Sequence, residues 1–153
     1  MTTTFQTRDD VAAERIRGHH AHMVTDLEGL VAGLDAAGPE AFEQAKADLV
    51  RWLHTELAPH AAGEEHTFYL AAGDTGTGAL LIRGMVAEHG VILGLVEQVE
   101  AATRAEAAGA WAGALLRVFR SHAEKDNELV LPLLVAEPGI NLAELLEQMH
   151  AGA

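Results

Sequence analysis

Apolar residues recur every three or four positions along most of this chain, which is the period of an amphipathic α-helix. Sustained two-residue alternation, which is typical of a half-buried strand, is missing. The periodic positions fall into four segments, and each segment predicts one long helical stretch. The positions that define them are, in order, Ile16, His20, Met23, Leu27, Leu30 and Leu34; Phe42, Leu49, Leu53, Leu57, His60, Glu64 and Phe68; Ile82, Met85, His89, Ile92, Val96 and Val99; and Trp111, Leu115, Val118, His122, Asp126, Leu129 and Leu133.

Turn signals separate the four segments. Gly38 and Pro39 follow the first segment, and together they combine a helix stop with a helix start. A glycine-rich run over 73–78 ends the second segment, and residues 103–108 predict a turn between the third and the fourth. Short links of this kind favour consecutive helices that pack side by side and antiparallel.

A fifth, shorter helix is predicted near the end of the chain, where Asn141 can act as its N-cap. We therefore expect an all-α fold, namely an up-down-up-down four-helix bundle with a short C-terminal extra helix. A single domain is expected over 1–153, with its core at about 10–136 and the tail helix at about 140–150. The apolar side of that tail helix consists of Leu142, Leu145, Leu146 and Met149.

Composition limits the classes of partner. Lys and Arg total 10 against 23 Asp and Glu, which gives a formal net charge of −13. Because such a chain repels phosphate groups, we expect neither nucleic acid nor an anionic membrane as a partner. The apolar run 129–136 is interrupted by Pro132 and is too short to span a bilayer, and the first residues show no signal-peptide pattern. A cytoplasmic protein is expected.

Cysteine is absent, which excludes disulfides and metal sites built on sulfur, whereas histidine occurs nine times. Each of the four segments carries one histidine on its buried stripe, meaning the apolar positions that repeat along one helix face. In two segments a carboxylate follows four residues later, on the same face one turn along, so that imidazole and carboxylate converge on one point. The candidate metal-ligating residues are His20, His60, Glu64, His89, His122 and Asp126.

Position on the stripe, rather than spacing, separates these pairs from the background. About one histidine–acid pair at this spacing is expected by chance, and three occur. The third pair, His22 with Asp26, lies on a face that continues through Gly29 and Gly33. The sequence of one histidine followed by a histidine–acid pair also occurs twice along the chain. A pseudo-twofold bundle would bring both copies to the same level.

Four imidazoles and two carboxylates in a bundle core are costly, on the order of several kcal/mol for each unpaired charge. Two divalent or trivalent cations would offset that cost by coordinating all six groups, and a metal-free hydrogen-bond network would do so less completely. Nitrogen and oxygen ligands without sulfur favour iron or manganese over zinc. Carboxylates between imidazoles describe a dinuclear site.

The same constellation resembles the hemerythrin-like family, also called the HHE cation-binding domain. The resemblance covers about 10–136, and the phrases HAAGEEHTFY and SHAEKDNELVLP are similar to the second- and fourth-helix motifs of that family. It implies a non-haem centre of two iron ions with an oxo or hydroxo bridge, in which Glu64 and Asp126 bridge the irons. The terminal ligands that it implies are His20, His60, His89 and His122.

Two departures from the oxygen carriers of the family bear on function. Those proteins have a second histidine one turn from the third-helix ligand, where this chain has Met85 and Leu93. Their last carboxylate comes five residues after histidine, where this chain has Asn127, and Asp126 takes the position before it. One imidazole fewer leaves the iron more open to an exogenous ligand, which makes peroxide or radical chemistry easier than reversible oxygen carriage.

Three functions follow. The first is a di-iron protein that binds or senses oxygen, nitric oxide or peroxide. The second is a di-iron enzyme that decomposes peroxide or activates oxygen for a substrate, so whether the chain is an enzyme stays open and no catalytic residue is assigned. The third is a metal-free or zinc-bound acidic domain that offers a surface to a partner. No nucleophile triad, phosphate loop or dinucleotide fingerprint competes with these.

Several residues near the predicted ligands have other expected roles. A modest rotation of the first helix would bring in His19 in place of His20, and Glu65 and His66 are weaker candidates for an extra-ligand or supporting role. Tyr69 could supply a phenol near the site, but one turn beyond Glu64 and off its face it is expected to pack instead. The residues expected at the solvated surface are His22, His54, Glu88, Glu128 and His150.

Two backbone features carry weaker expectations. Pro59, inside the second segment, removes one helix hydrogen bond and predicts a bend just before the histidine that follows it. Gly90 and Gly94 are four residues apart on the third segment, although glycine destabilises a helix. A small-molecule path to the metal at this place would explain why glycine occurs there.

Overall fold

The computed structural model describes residues 6–152, and within that range all regular elements are helical, which confirms the all-α prediction. Two π-helical turns, Leu53–Leu57 and Asp126–Val130, join α-helices into longer segments. The second predicted segment thus corresponds to α2 to α4 and the fourth to α6 and α7. The α-helices are α1 Arg8–Ala36, α2 Phe42–Trp52, α3 Ala58–His66, α4 Phe68–Gly73, α5 Ala79–Ala101, α6 Ala105–Lys125, α7 Leu131–Ala136 and α8 Leu142–Ala151.

Side-chain caps fix the first and the last helix. Thr7 and Asp10 form a capping box at the start of α1, in which each side chain accepts a hydrogen bond from the backbone N–H of the other residue. At the start of α8 the Asn141 side chain accepts from the N–H of Glu144 at 3.1 Å, which confirms the predicted N-cap. As predicted, α1 ends before Gly38 and α4 ends where the glycine-rich run begins. The turn predicted over 103–108 is shorter than expected, because α6 already begins at Ala105.

Both π-helical turns precede a proline. The N–H of Ala58 bonds to the carbonyl of Leu53, five residues back, and Pro59 follows it. The N–H of Leu131 bonds in the same way to the carbonyl of Asp126, and there Pro132 follows. Proline lacks an N–H and its ring collides with the carbonyl four residues back, so a wider turn relieves the conflict without ending the helix. The distortion expected at Pro59 is thus a π-helical turn.

The second π-helical turn makes the predicted stripe of the fourth segment wrong at Leu129. That side chain is 48% exposed, whereas Val130 and Leu131 are buried. A π-helical turn takes up one extra residue, which rotates everything after Asp126 by about 100° relative to a continuous α-helix.

The start of the same segment is wrong for a different reason. Trp111 was expected on the buried stripe and is 40% exposed, while its neighbour Ala112 is fully buried. Ala108 and Ala112, with Leu115, keep the same helical period, and their small side chains suit a close approach between helices. The positions of the large apolar residues alone therefore predicted the wrong buried face at the start of α6.

The buried residues form two apolar clusters with the polar site between them. Representative members of the first cluster are Leu27, Leu49, Leu57, Ile92 and Leu115. Representative members of the second cluster are Ile16, Phe68, Met85, Val130 and Leu146. Along α1 and α5 the chain runs from the second cluster to the first, with His20 and His89 between them, and along the two other segments it runs from the first cluster to the second.

Helix α5 is apolar on its outer face as well. By length and composition it is the one helix of the described chain that could cross a membrane, which the apolar run 129–136 had not indicated. The helix also packs against α6 and brings His89 into the interior, and helices of a protein core often pass the same test. The finding is therefore weak support for a membrane segment.

Candidate metal centre

The six side chains predicted from the sequence meet in the interior, at the level between the two apolar clusters. Each of them is at most 9% exposed. They come from α1, α3, α5, α6 and the residue that begins the second π-helical turn. The buried set is His20, His60, Glu64, His89, His122 and Asp126.

Glu64 stands at the centre of this set, and its two oxygens divide the histidines into pairs. Oε1 lies 3.2 Å from Nε2 of His20 and 3.0 Å from Nε2 of His60. Oε2 lies 3.3 Å from Nε2 of His89 and 4.0 Å from Nε2 of His122. The result is two groups of three ligand atoms that share one carboxylate, and each group could hold a metal ion.

Asp126 lies beside one of these groups. Its Oδ2 is 3.3 Å from Nε2 of His122, and its Oδ1 accepts a hydrogen bond of 2.6 Å from the hydroxyl of Tyr69. Burial and the negative charge of Glu64 raise the pKa of Asp126 to about 6. Its distance to His122 places Asp126 beside the group of His89 and His122 rather than the group of His20 and His60.

Acceptors outside the site hold the rings of two histidines. Nδ1 of His20 donates to Oδ1 of Asn127 at 2.7 Å, and Nδ1 of His89 donates to Oε1 of Glu65 at 2.7 Å. Of the two roles considered for Glu65, extra metal ligand or support of a ligand, the structure therefore shows support of His89. The sequence had marked Asn127 only as a position where the family carboxylate is missing.

The third ring is held by a residue that was expected at the solvated surface. Nδ1 of His122 donates to Oε2 of Glu88 at 3.1 Å, and both oxygens of Glu88 accept from Nζ of Lys125 at 2.7 Å. Burial raises the pKa of Glu88, but Lys125 and His122 outweigh it and keep that pKa below its usual range. The surface expectation for Glu88 is wrong because one helix alone does not reveal that α6 brings Lys125 opposite.

These outer hydrogen bonds determine what the inner nitrogens can do. A ring whose Nδ1 donates to a carboxylate or an amide oxygen presents the lone pair of its Nε2 to the interior. The oxygens of Glu64 face the same space, and Oε2 has no hydrogen-bond partner among the described residues. Lone pairs and a carboxylate at about 3 Å repel one another unless protons or a cation lie between them.

The pKa shifts show the same demand for positive charge. Burial raises the pKa of Glu64, but contacts with His60, His122 and His20 outweigh it and hold that pKa well below its usual range. Burial lowers the pKa of His20 and of His89, but the carboxylate of Glu64 outweighs it and raises both. Protons therefore balance the buried charge in the chain as it stands, and a metal cation would take their place.

His60 differs from the other three histidines. Its Nδ1 is buried and has no hydrogen-bond partner within residues 6–152. Its nearest aromatic neighbours are the ring of His20, with centroids 5.1 Å apart, and the ring of His19 at 5.3 Å. In the first helix His20 is buried at the centre of the set, and His19 is exposed at its edge.

Tyr69 belongs to the site, contrary to the expectation that it packs off the face of Glu64. Besides its bond to Asp126, its hydroxyl lies 3.0 Å from Nε2 of His122. The helix breaks at Thr67, whose φ of −126° and ψ of −83° lie outside the α region, and whose hydroxyl bonds to the carbonyl of Gly63. The break turns Tyr69 inward. A continuous helix would have carried it past the site, and its being the only tyrosine was the one available hint.

Burial of Tyr69 and the charges of Glu64 and Asp126 raise the pKa of its phenol far above the usual range. The ring also stacks on that of His89, with centroids 5.2 Å apart. The phenol is therefore a neutral donor at any physiological pH.

The remaining predictions at the site have mixed outcomes. His22, His54, Glu128 and His150 are exposed as expected, and so is His66. A Cβ at Gly90 or Gly94 would meet open space, and Gly90 is exposed, so these glycines lie on the outer face of α5. These two glycines therefore do not line a small-molecule path to the metal centre.

A cavity of about 820 Å³ reaches the site from another direction, between α1, α3 and α8. Its wall includes His60 and Gly63, and the side chain of Met149 from α8 rests against Gly63. The sequence had given no sign of this cavity, because it forms only where the tail helix meets the two others.

A helical protein whose interior gathers nitrogen and oxygen ligands is of the class that holds metal cations between its helices. The family model for the hemerythrin HHE cation binding domain matches residues 11–134. The chain therefore belongs to the hemerythrin HHE cation-binding family. No curated protein and no solved structure is significantly similar to it.

Proposed function

We propose that this chain is a non-haem di-iron protein that binds or senses a small ligand such as oxygen, nitric oxide or peroxide. The observation that supports two ions is the division of ligands around Glu64, since each of its oxygens faces its own pair of histidines. Glu64 would bridge, His20 and His60 would hold one ion, and His89 and His122 the other.

Asp126 is the residue we propose as the further carboxylate ligand. It lies on the side of His122, and its hydrogen bond from Tyr69 leaves Oδ2 facing the histidine. In this arrangement Asp126 would be a ligand of the ion held by His89 and His122.

Iron is the proposed metal because all the ligands are nitrogen or oxygen and the chain has no cysteine. Manganese would fit the same donors, and zinc is less favoured because it prefers fewer ligands. When bound, iron would supply the redox chemistry and the affinity for small ligands.

The chain's own residues would orient the metal ligands and control protons. Asn127, Glu65 and Glu88 each accept from Nδ1 of one histidine, which keeps the Nε2 lone pair inward. Tyr69 holds its proton at the hydroxyl oxygen, 2.6 Å from Asp126. That phenol is a neutral donor beside His122 and Asp126.

We further propose an up-down-up-down arrangement of the four segments in one domain. It is supported by the order in which the segments meet the two apolar clusters, which alternates along the chain. The strong negative charge supports a protein that binds neither nucleic acid nor an anionic membrane.

One observation favours the alternative, a di-iron enzyme that decomposes peroxide or activates oxygen for a substrate. The cavity of about 820 Å³ has His60 in its wall, so a molecule larger than a diatomic ligand has room beside the site. A sensor of diatomic ligands has no need of such a space.

The test is an optical titration of the iron-loaded chain with azide and with nitric oxide. We expect a saturable spectral change for each ligand, because an ion with few protein ligands keeps a position open. Iron-loaded protein whose spectrum neither ligand alters would contradict the proposal. Hydrogen peroxide consumed over many equivalents per chain, at a rate abolished in His89→Ala, would favour the enzyme instead.

A further inference from the structure

The cavity beside His60 has a buried apolar floor. Ile16, Phe68 and Leu146 line it and are each at most 7% exposed. Met149 adds a flexible thioether chain to the same wall, and such a chain adapts its shape to what it covers. His60 is the one residue of the metal centre that lines the cavity. The floor therefore suits an alkyl chain whose end approaches the site.

The rim of the cavity is polar and carries one arginine. Its exposed lining residues include Arg15, His19, His66 and His150, against a single acid, Glu56. Arg15 and His150 also line a smaller hollow next to the cavity, which places them at its outer edge. With histidine counted as neutral, Arg15 and Glu56 cancel, so on a chain with a net charge of −13 this edge is locally close to neutral.

Arg15 is the one cationic side chain among the described residues that line this cavity, with histidine counted as neutral. It has no ion-pair or hydrogen-bond partner among residues 6–152, whereas Arg17, two residues on, is bonded to Glu14. A guanidinium that is not already engaged can pair with a carboxylate through two parallel hydrogen bonds.

From these features we propose that the cavity binds an amphipathic monoanion, namely a medium-chain fatty carboxylate. Its carboxylate would pair with Arg15 at the rim, and its alkyl chain would lie on the floor toward His60. A monoanion is favoured over a dianionic phosphate ester because the surrounding acidic surface repels the greater charge more strongly. The volume of about 820 Å³ lies in the range of small-molecule sites.

This inference names a ligand class for the proposed metal centre, and it rests on that proposal only for what the ligand would do there. Binding itself needs no metal, so it is measured on the metal-free and on the iron-loaded chain. If the chain takes up no iron but binds the carboxylate, the proposed function fails and this inference stands. If it takes up iron and does not bind, the reverse holds.

The experiment is calorimetric titration with decanoate, decanol and decyl phosphate below their aggregation concentrations. We expect decanoate to bind at one site per chain, and decanol and decyl phosphate to bind at least about tenfold more weakly. Equal affinity for decanol would overturn the role of Arg15, and tighter binding of decyl phosphate would overturn the choice of a carboxylate. Absence of decanoate binding would overturn the proposal as a whole.

Two variants locate the site. Arg15→Gln removes the charge and should weaken decanoate binding about tenfold while leaving decanol binding unchanged. The matched control is Arg83→Gln, since Arg83 is an exposed arginine on α5 outside the cavity. Equal loss in both variants would mean that only the overall charge matters.

Ala62→Trp fills the cavity from an exposed lining position, so the fold should tolerate it. It should abolish decanoate binding, while Ala47→Trp, at an exposed position of α2, should not. Circular dichroism and iron content should match the unmodified chain in both variants. Unimpaired binding by a folded Ala62→Trp would show that the ligand sits elsewhere.

Discussion

Glu64 is a carboxylate at 1% exposure with four imidazole nitrogens around it, and its neighbours show how single residues compensate one another here. Each histidine that faces Glu64, except His60, donates a hydrogen bond from Nδ1 to an acceptor outside the site. The hydrogen bonds therefore leave the interior rich in lone pairs. Positive charge must enter, either as protons or as metal.

Tyr69 gives a test of this hydrogen-bond network. Tyr69→Phe removes a buried donor and leaves Asp126 without its 2.6 Å bond, so the free energy of unfolding of the metal-free chain should fall by about 1–3 kcal/mol. Urea denaturation measures it. In the control Thr25→Ala an exposed hydroxyl is lost, and the change should stay below about 0.5 kcal/mol. A similar small change in Tyr69→Phe would contradict the role assigned to the phenol.

The pKa shifts predict how metal affinity depends on pH. The pKa values of His20 and His89 are raised and that of Asp126 is raised to about 6, so the metal-free site keeps protons there that a metal must displace. Fe²⁺ affinity should therefore rise as the pH is raised through about 6 and level off above the raised histidine values.

The same shifts act on the stability of the metal-free chain with the opposite sign. A raised folded-state pKa favours the folded state at low pH, and this contribution is lost as the pH rises through that value. The predicted pH dependence of Fe²⁺ affinity is checked by anaerobic Fe²⁺ titrations at about pH 5 and pH 8, with proton release recorded. Equal affinities and no released protons would contradict it.

At the scale of elements, the sequence predicts where helices begin and end better than which residues they bury. The cap at Asn141 and the stop at Gly38 are local, so they can be read from neighbouring residues. The phase of a helix is cumulative. One π-helical turn before Pro132, or one break at Thr67, rotates every residue that follows.

That difference explains which site residues were found. His20, His89 and His122 lie in uninterrupted α-helix and Asp126 begins the second π-helical turn, so a fixed helical period places them together. His60 and Glu64 follow the first π-helical turn and still fall on the predicted stripe, because its steps of four residues before them leave room for the wider turn. Tyr69 comes after a break, and the partners Glu65, Glu88 and Asn127 lie off the stripes. Their roles depend on which helix stands opposite, which no single-helix period contains.

Helix α8 gives a prediction at this scale, since it covers the cavity and depends on one cap. Asn141→Ala removes the side-chain acceptor for the N–H of Glu144 and should destabilise α8 by about 1 kcal/mol. Amide hydrogen exchange within α8 should then speed up about fivefold while that of α5 stays unchanged. Asn141→Asp keeps an acceptor and serves as the control. Unaltered exchange in the alanine variant would show that packing alone holds α8.

At the scale of the whole molecule, two apolar clusters enclose one polar level. The clusters supply the hydrophobic stabilisation, and they can therefore support the buried groups between them, which cost stability. The sequence predicts this plan because the histidine replaces an apolar residue at one level of each segment. It does not predict the cavity, which arises where the tail helix closes over α1 and α3.

The central claim is that Glu64 joins two iron ions in this level, and the iron-to-protein ratio tests it most directly. The chain, loaded anaerobically with Fe²⁺ and desalted, should retain about two irons by elemental analysis. His60→Ala should lose at least one of them, and His54→Ala, which removes an exposed histidine paired with Glu100, should keep both. A ratio of one or less in the unmodified chain, or equal loss in both variants, would contradict the account.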